Sequence, residues 1–424
     1  MGHITPFFEL AKKLSQKGFH VYLLSTPINL TFIHNTHSSI HLVELHLPES
    51  PDLPPHRHTT NGLPPHLNLT LQNALKSSEP AFSDVMATLR PHLLIYDVLN
   101  PWAARVAESH DVPAVRLFTI GAATCSYYTH SLSRENEEYP FPELRLSTYD
   151  RDRVQKMLER WRSGLKYTDI TEDRNVCVIT ASREMEGKYI DSLSHLLGGR
   201  KVMPLGLLVR QEEDDCDQFH VIMEWLGKKE EKSTVYVSFG SECFLSDEEI
   251  QEMAYGLEES RVNFIWVVRF PKGEERNLEM ALPKGFLDMV GDRGRVVEGW
   301  APQARILSHP SVGGFVSHCG WNSIMESVVR GVPIVAMPMQ FDQPMNAKMV
   351  VEIGVGVEVV RDDCTGRFSR KDVAKALARV IVEEVGETVR RNAEVMGKNV
   401  RAKSLKEMDE VVALLAHICG QASI

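Results

Sequence analysis

The sequence predicts an α/β fold built from two doubly wound halves, and three observations predict it. Short apolar runs rich in strand formers recur with helical patterns between them, as in a parallel sheet covered on both faces. The runs fall into two series, separated near residues 204–217 by "PLGLLVRQEEDDCD". At 424 residues the chain is also too long for one ordinary core, so two domains of roughly 200 residues each are expected.

The elements follow in order. "MGHITPFFELAKKLSQKGF" opens the chain as an amphipathic helix, with Phe7, Leu10, Ala11 and Leu14 at helical spacing. Thr5 is placed to N-cap it, Pro6 to sit at its first position and Gly18 to end it. "HVYLLST", "HLLIYD" (92–97) and "PAVRLFT" (113–119) read as strands, the last two separated by the helical "PWAARVAESH". The second series begins after "KVMPLGLL" (201–208). It comprises "STVYVSFGS" (233–241), "NFIWVVRF" (263–270), "GRVVEGW" (294–300), "GGFVSHCG" (313–320) and "VPIVAMP" (332–338). The amphipathic "KSLKEMDEVVALLAHI" reads as a last helix. We expect an N-terminal domain over 1–204, a linker over 205–217 and a C-terminal domain over 218–401, with 402–424 packing back on the first domain.

Composition removes several classes of function. A net charge of −10 without a Lys/Arg-rich stripe argues against a nucleic-acid partner. Seven cysteines, at 125, 177, 216, 243, 319, 364 and 419, are odd in number and lack CxxC spacing. They read as reduced thiols in a cytoplasmic protein rather than a disulfide frame or zinc site. No stretch reaches the roughly 18 apolar residues of a membrane span, and no signal layout opens the chain. Pro6 stands where a myristoylation motif wants Ser or Thr, and the sequons at Asn29 and Asn68 are read as coincidental.

Ligands of doubly wound sheets lie at the carboxyl ends of strands, so the loops after strands are where chemistry is expected. The richest stretch is residues 300–343, "WAPQARILSHPSVGGFVSHCGWNSIMESVVRGVPIVAMPMQFDQ". Within it a buried strand breaks at "HCGWNS" into a helix. Gly320 allows close backbone approach, and Asn322 and Ser323 sit on a first helical turn that favours phosphate. His318 can add a hydrogen bond to an anionic oxygen. Trp300 offers a flat face to a base, Glu326 an acceptor for ribose hydroxyls, and Asp342 and Gln343 a pair that can read sugar hydroxyls. Each residue alone could merely support a tight turn, whereas the whole constellation in one run points to a nucleotide sugar.

This segment resembles, almost residue for residue, the 44-residue signature box of plant family-one UDP-dependent glycosyltransferases, from its initial Trp to its terminal Gln. The resemblance implies the GT-B fold, two Rossmann-like doubly wound α/β domains facing a central cleft, and UDP-glucose as donor. It assigns Trp300 and Gln303 to the nucleoside and Glu326 to the ribose. His318, Asn322 and Ser323 fall to the diphosphate; Trp321, Asp342 and Gln343 to the sugar. "VSFGS" is similar to a second phosphate loop, with Gly240 and Ser241. In the family a Gly-His pair before the first helix supplies the general base, which corresponds to His3, and an Asp ending a later strand is its partner, which corresponds to Asp97. "STPINL" (25–30), "LPPHRHTTNGLPPHL" (53–67) and "YDVLNPWA" are similar to the subgroup that glycosylates the sugar of flavonoid, terpenoid or carotenoid glycosides. The family's first strand, ahead of the Gly-His pair, is missing from the sequence. A chain extended by roughly 10–15 residues, a strand and its lead-in, is expected to be more stable and more active.

Other signals are set aside. Asp150-Arg151-Asp152 and Asp215-Cys216-Asp217 match a DxD metal motif but read as solvated surface, and no metal is expected, since a helix N-terminus and His318 can meet the diphosphate charge. His56, His58 and His66 read as a loop bordering the acceptor. "GVGVEV" (354–359) is only part of a dinucleotide fingerprint, and no G-x-S-x-G elbow accompanies the His-Asp pair. The expected protein is a monomeric, inverting glucosyltransferase acting on a glycoside, without cofactor. The rivals are the same reaction on an aglycone hydroxyl, a catalytically impaired nucleotide-sugar binder, and an NAD-linked oxidoreductase.

Overall fold

Every strand pair among the described residues is parallel. The structure is a computed structural model describing residues 2–33, 39–134, 137–164, 176–209, 220–271 and 275–421. Contacts divide the chain into two units. One comprises Met1–Glu137, Trp161–Leu208 and Ala402–Ile424; the other comprises Glu138–Arg160 and Val209–Arg401. Residues 138–160 lie inside the expected first domain, yet they make their contacts with the second unit. Leu205 and Leu208, expected in a linker, are buried in the first unit's core; residues 210–217 of that linker, with Asp215-Cys216-Asp217, lie outside the described residues.

In the first unit, β1 (Val21–Ser25) pairs with β2 (Ile40–Glu44). A separate sheet holds β3 (Leu94–Asp97), β4 (Ala114–Phe118), β5 (Val176–Ile179) and β6 (Lys201–Pro204), in the order β3-β4-β5-β6. The first helix, Ile4–Gln16, packs against both sheets. Its Phe8 and Ala11 meet Leu23 and Ile40, while Leu10 and Leu14 join Val115, Leu117 and Val178. Met408, Val411 and Leu415, from the long helix Glu384–Gln421, complete that second cluster. Tyr96, Trp102, Phe82 and Met86 form another core cluster in this unit.

The start of the first helix differs from expectation. His3, not Thr5, occupies the N-cap, and Pro6 is the third helical residue. A proline is tolerated there because the first four N–H groups of a helix have no partner within it. The helix stops at the C-cap Lys17, immediately before Gly18.

The second unit holds six strands: β7 (Thr234–Ser238), β8 (Asn263–Val268), β9 (Gly294–Glu298), β10 (Val312–Ser317), β11 (Ile334–Ala336) and β12 (Gly356–Glu358). Their order is β12-β11-β10-β7-β8-β9. β7 and β10 are buried along their whole length, which is why they read as largely apolar runs. Alternate side chains divide between the faces: Val235 and Val237 enter one cluster with Trp266, Met253 and Leu257, and Tyr236 enters another with Phe315 and Ile306. Strand order reverses between β7 and β10, so their carboxyl ends form the crevice where doubly wound sheets bind ligands.

Candidate active site

His3 stands at the N-cap of the first helix and Asp97 at the last position of β3. Fold brings them together across 94 positions, with His3 Nδ1 2.7 Å from Asp97 Oδ2. A carboxylate can only accept, so the proton of this bond belongs to Nδ1, and the neutral ring carries its lone pair on Nε2. Asp97 Oδ1 accepts the Leu99 N–H at 2.8 Å, which fixes the carboxylate. The Asp97 side chain is 13% exposed and that of His3 44%, so the pair presents the imidazole outward and keeps the anion sheltered. Thr119, one residue past β4, places Oγ1 2.9 Å from the same His3 nitrogen.

The second unit gathers the residues after β7 and β10. Gly240 and Ser241 follow β7. His318, Cys319 and Gly320 follow β10 and lead into the helix Trp321–Arg330. That helix buries Trp321, Ile324, Met325 and Val328 at i, i+3, i+4 and i+7, leaving Asn322 and Glu326 on a different face. His318 is buried, and its Nδ1 has no hydrogen-bond partner among the described residues. Burial, helped by the nearby Arg269 cation, pushes its pKa down to about 4, which leaves the ring neutral at pH 7. Both glycines make room for this ring. A Cβ at Gly320 would lie 2.5 Å from His318 Nε2, and one at Gly240 would lie 2.6 Å from it. Gly320 is therefore required first by its histidine neighbour, beyond any approach to a ligand. Cys319 holds a left-handed φ of 63°, a conformation costly for a side-chain-bearing residue.

Around this centre the other residues fall into two groups. Gln303, at the start of the helix Gln303–Ser308, donates from Nε2 to Glu326 Oε2 at 2.9 Å and lies 3.4 Å from Ser323 Oγ. Trp300, in the loop after β9, is 52% exposed. Beyond β11, Asp342 precedes the helix Gln343–Glu352 and accepts from Asn346 Nδ2 at 2.7 Å.

Two of the residues expected to contact the sugar are buried. The Gln343 side chain is buried. Its Oε1 accepts the N–H groups of Met339 and Gln340 at 2.9 and 2.8 Å, and its amide nitrogen lies 3.6 Å from Cys243 Sγ. It braces the loop from inside. The Trp321 indole is likewise buried, 3% exposed, in the helix's packed face. Asp150, expected on a solvated surface, is buried too; it accepts from Ser147 Oγ at 2.8 Å in the first turn of its helix, where an acid is favoured. His58 is buried, with Nε2 2.9 Å from the Leu53 carbonyl, and among the described residues no three His, Cys, Asp or Glu side chains could hold a metal ion.

This geometry has known counterparts. The family described as "UDP-glucoronosyl and UDP-glucosyl transferase" matches residues 213–414. A β-D-glucosyl crocetin β-1,6-glucosyltransferase from Gardenia jasminoides is 46% identical over 435 aligned positions, covering 100% of this chain and 98% of the relative. The chain belongs to the plant family-one UDP-glycosyltransferases. A cyanidin-3-O-glucoside 2-O-glucuronosyltransferase from Bellis perennis is 42% identical, over 97% of this chain and 92% of the relative. Among solved structures, Phytolacca americana UGT2 complexed with UDP-2-fluoro-glucose and pterostilbene superposes with a TM-score of 0.80 at 26% identity, over 98% of this chain and 97% of that one. The fold of this glycosyltransferase is GT-B, with two Rossmann-like domains.

Two residues beside the candidate site escaped the sequence. Thr119 ends the run "PAVRLFT" beside the strand carrying Asp97, so its position past a parallel neighbour was the signal available. Arg269 directly follows β8, with Nε buried and without a partner among the described residues, and its charge is felt at His318. Its signal was the single cation closing the apolar run "NFIWVVRF".

Proposed function

We propose that this glycosyltransferase is an inverting, UDP-glucose-dependent enzyme that adds glucose to a hydroxyl on the sugar of a plant natural-product glycoside. The observation that carries the mechanism is the 2.7 Å contact between His3 Nδ1 and Asp97 Oδ2. It sets the tautomer in which Nε2 takes the acceptor's proton. As the proton leaves, the acceptor oxygen bonds to the anomeric carbon. The bond from that carbon to the β-phosphate oxygen breaks, and UDP departs with the electron pair. One in-line displacement on an α-linked donor yields a β-linkage. Asp97 stabilises the imidazolium formed, the general-acid–base role that contributes about 10²–10⁴-fold in rate.

The proposed donor site uses Trp300 and Gln303 for the nucleoside and Glu326 for the ribose. His318, Asn322, Ser323, Gly240 and Ser241 receive the diphosphate, whose charge they and the helix N-terminus can meet without a metal. Trp321, Asp342 and Gln343 contact the sugar, and Gln343 also braces the loop that carries Asp342. The glycoside acceptor is supported by the Gardenia and Bellis relatives, both named for acceptors that already carry glucose. Buried free thiols at Cys125, Cys177, Cys243 and Cys319 suit a reducing compartment, and we place the enzyme in the cytoplasm.

The test is an acceptor screen with UDP-glucose, pairing aglycones with their monoglucosides and mapping products by NMR. Transfer to glucosides with a β-anomeric product is expected. Transfer to aglycones alone moves the acceptor assignment, and an α-linked product overturns the single displacement.

A further inference from the structure

The loop between β11 and the helix Gln343–Glu352 carries Asp342, and it is held from an unexpected quarter of the sequence. The helix Thr148–Gly164 begins within the second unit. Its Tyr149 donates its backbone N–H to the Asp363 carbonyl at 2.9 Å. Two guanidinium groups lie over the Tyr149 ring: Arg153 with Cζ 5.2 Å from the centroid, and Arg361 with Cζ 5.6 Å from it. Each of them donates to the loop. Arg153 Nη1 reaches the Met339 carbonyl at 2.6 Å and the Tyr149 hydroxyl at 3.0 Å. Arg361 Nη1 donates to the neighbouring Pro338 carbonyl, while its Nε holds the Gly366 carbonyl at 2.7 Å.

From inside, Gln343 Oε1 takes the N–H groups of Met339 and Gln340. The loop backbone is thus tied on its carbonyl side by two arginines and on its amide side by one glutamine. The next residue shows why such bracing matters. Phe341 is exposed and has a φ of 56°, a left-handed conformation that a side-chain-bearing residue keeps only where its surroundings over-determine it. Asp342 follows directly.

We propose that Tyr149, Arg153 and Arg361 form a brace that sets the position of Asp342 and so governs recognition of the donor's sugar. Arg153 and Tyr149 are positioning residues for the donor, although both lie in the half of the sequence expected to bind the acceptor. The inference rests on the reading that Asp342 contacts the sugar, and the experiment separates the two.

Arg153→Ala, Arg153→Lys and Asp342→Ala are compared with the parent enzyme for UDP-glucose KM, UDP inhibition constant and thermal midpoint. The kcat/KM ratio of UDP-glucose to UDP-galactose is measured alongside. Arg153→Ala is expected to raise the UDP-glucose KM about tenfold, within the hundredfold that about 1 Å of misplacement can cost. UDP inhibition should stay unchanged and the sugar preference should narrow, while Arg153→Lys, which keeps a donor, recovers part of the loss. If Asp342→Ala impairs UDP-glucose use but Arg153→Ala does not, the brace has no such role. If Arg153→Ala weakens UDP and UDP-glucose in parallel with a lowered midpoint, its role is structural and the proposal falls. If Asp342→Ala changes nothing, the reading of the sugar site falls and takes the inference with it.

Discussion

Replacing Gly240 by alanine should disable diphosphate binding through His318. The backbone there has a φ of +75°, and the new Cβ would lie 2.6 Å from His318 Nε2 and 2.7 Å from Cε1. Two costs follow. A side chain in the left-handed region costs about 1–2 kcal/mol of stability. The imidazole must also move by roughly 1 Å to restore ordinary contact distance, in a buried site where Gly320 already leaves it little room. A hydrogen bond from this ring to a charged phosphate is worth about 1.5–3 kcal/mol, which corresponds to about 10–150-fold in UDP affinity. Titration calorimetry with UDP and with uridine separates the effects, because uridine has no diphosphate to lose. The expected result is a large loss for UDP with uridine nearly unchanged. Equal loss for both ligands, or none, would refute the role given to the His318 ring.

Two further predictions concern separate parts of the molecule. Glu186 is fully buried, with Oε1 accepting the Ala123 N–H at 2.8 Å and Oε2 unpartnered among the described residues, and burial raises its pKa to about 7. A carboxyl raised in the folded state gives stability that is present below pH 4.5 and lost as pH rises through 7, up to about 3 kcal/mol. Glu186→Gln should remove this loss, so its unfolding midpoint should gain on the parent between pH 5 and pH 8; a constant difference across that range would contradict the reading. Trp300→Ala should weaken UDP and uridine alike by about 1–3 kcal/mol, the worth of a base stacked on an aromatic ring. Unchanged uridine affinity would remove Trp300 from the base site.

The sequence was most informative where one element carries several functions in register. "HCGWNSIME" places His318, Asn322, Ser323 and Glu326 at a strand end and on the first turns of one helix, so the strand-to-helix pattern foretold their grouping. Asp97 came from the family resemblance, and the structure places it 2.7 Å from His3 Nδ1. What remained hidden depends on partners distant in the chain. Gln343 lies against Cys243, 100 positions away, and the site motif alone gives no hint of that contact. Asp150 looked solvated because its neighbours are charged, yet its burial follows from packing of the segment 138–160 with the second unit. The helix start was misplaced by two residues because Pro6 suits any position in the first turn, where no N–H is needed.

The central claim is that His3, oriented by Asp97, is the general base. Steady-state transfer by His3→Ala and Asp97→Asn, alongside calorimetric UDP affinity, tests it most directly. His3→Ala is expected to lose at least about 100-fold in kcat with UDP binding intact. Asp97→Asn, which keeps an acceptor for Nδ1–H without its charge, should fall between that variant and the parent. Normal turnover by His3→Ala, with UDP binding intact, would contradict the account.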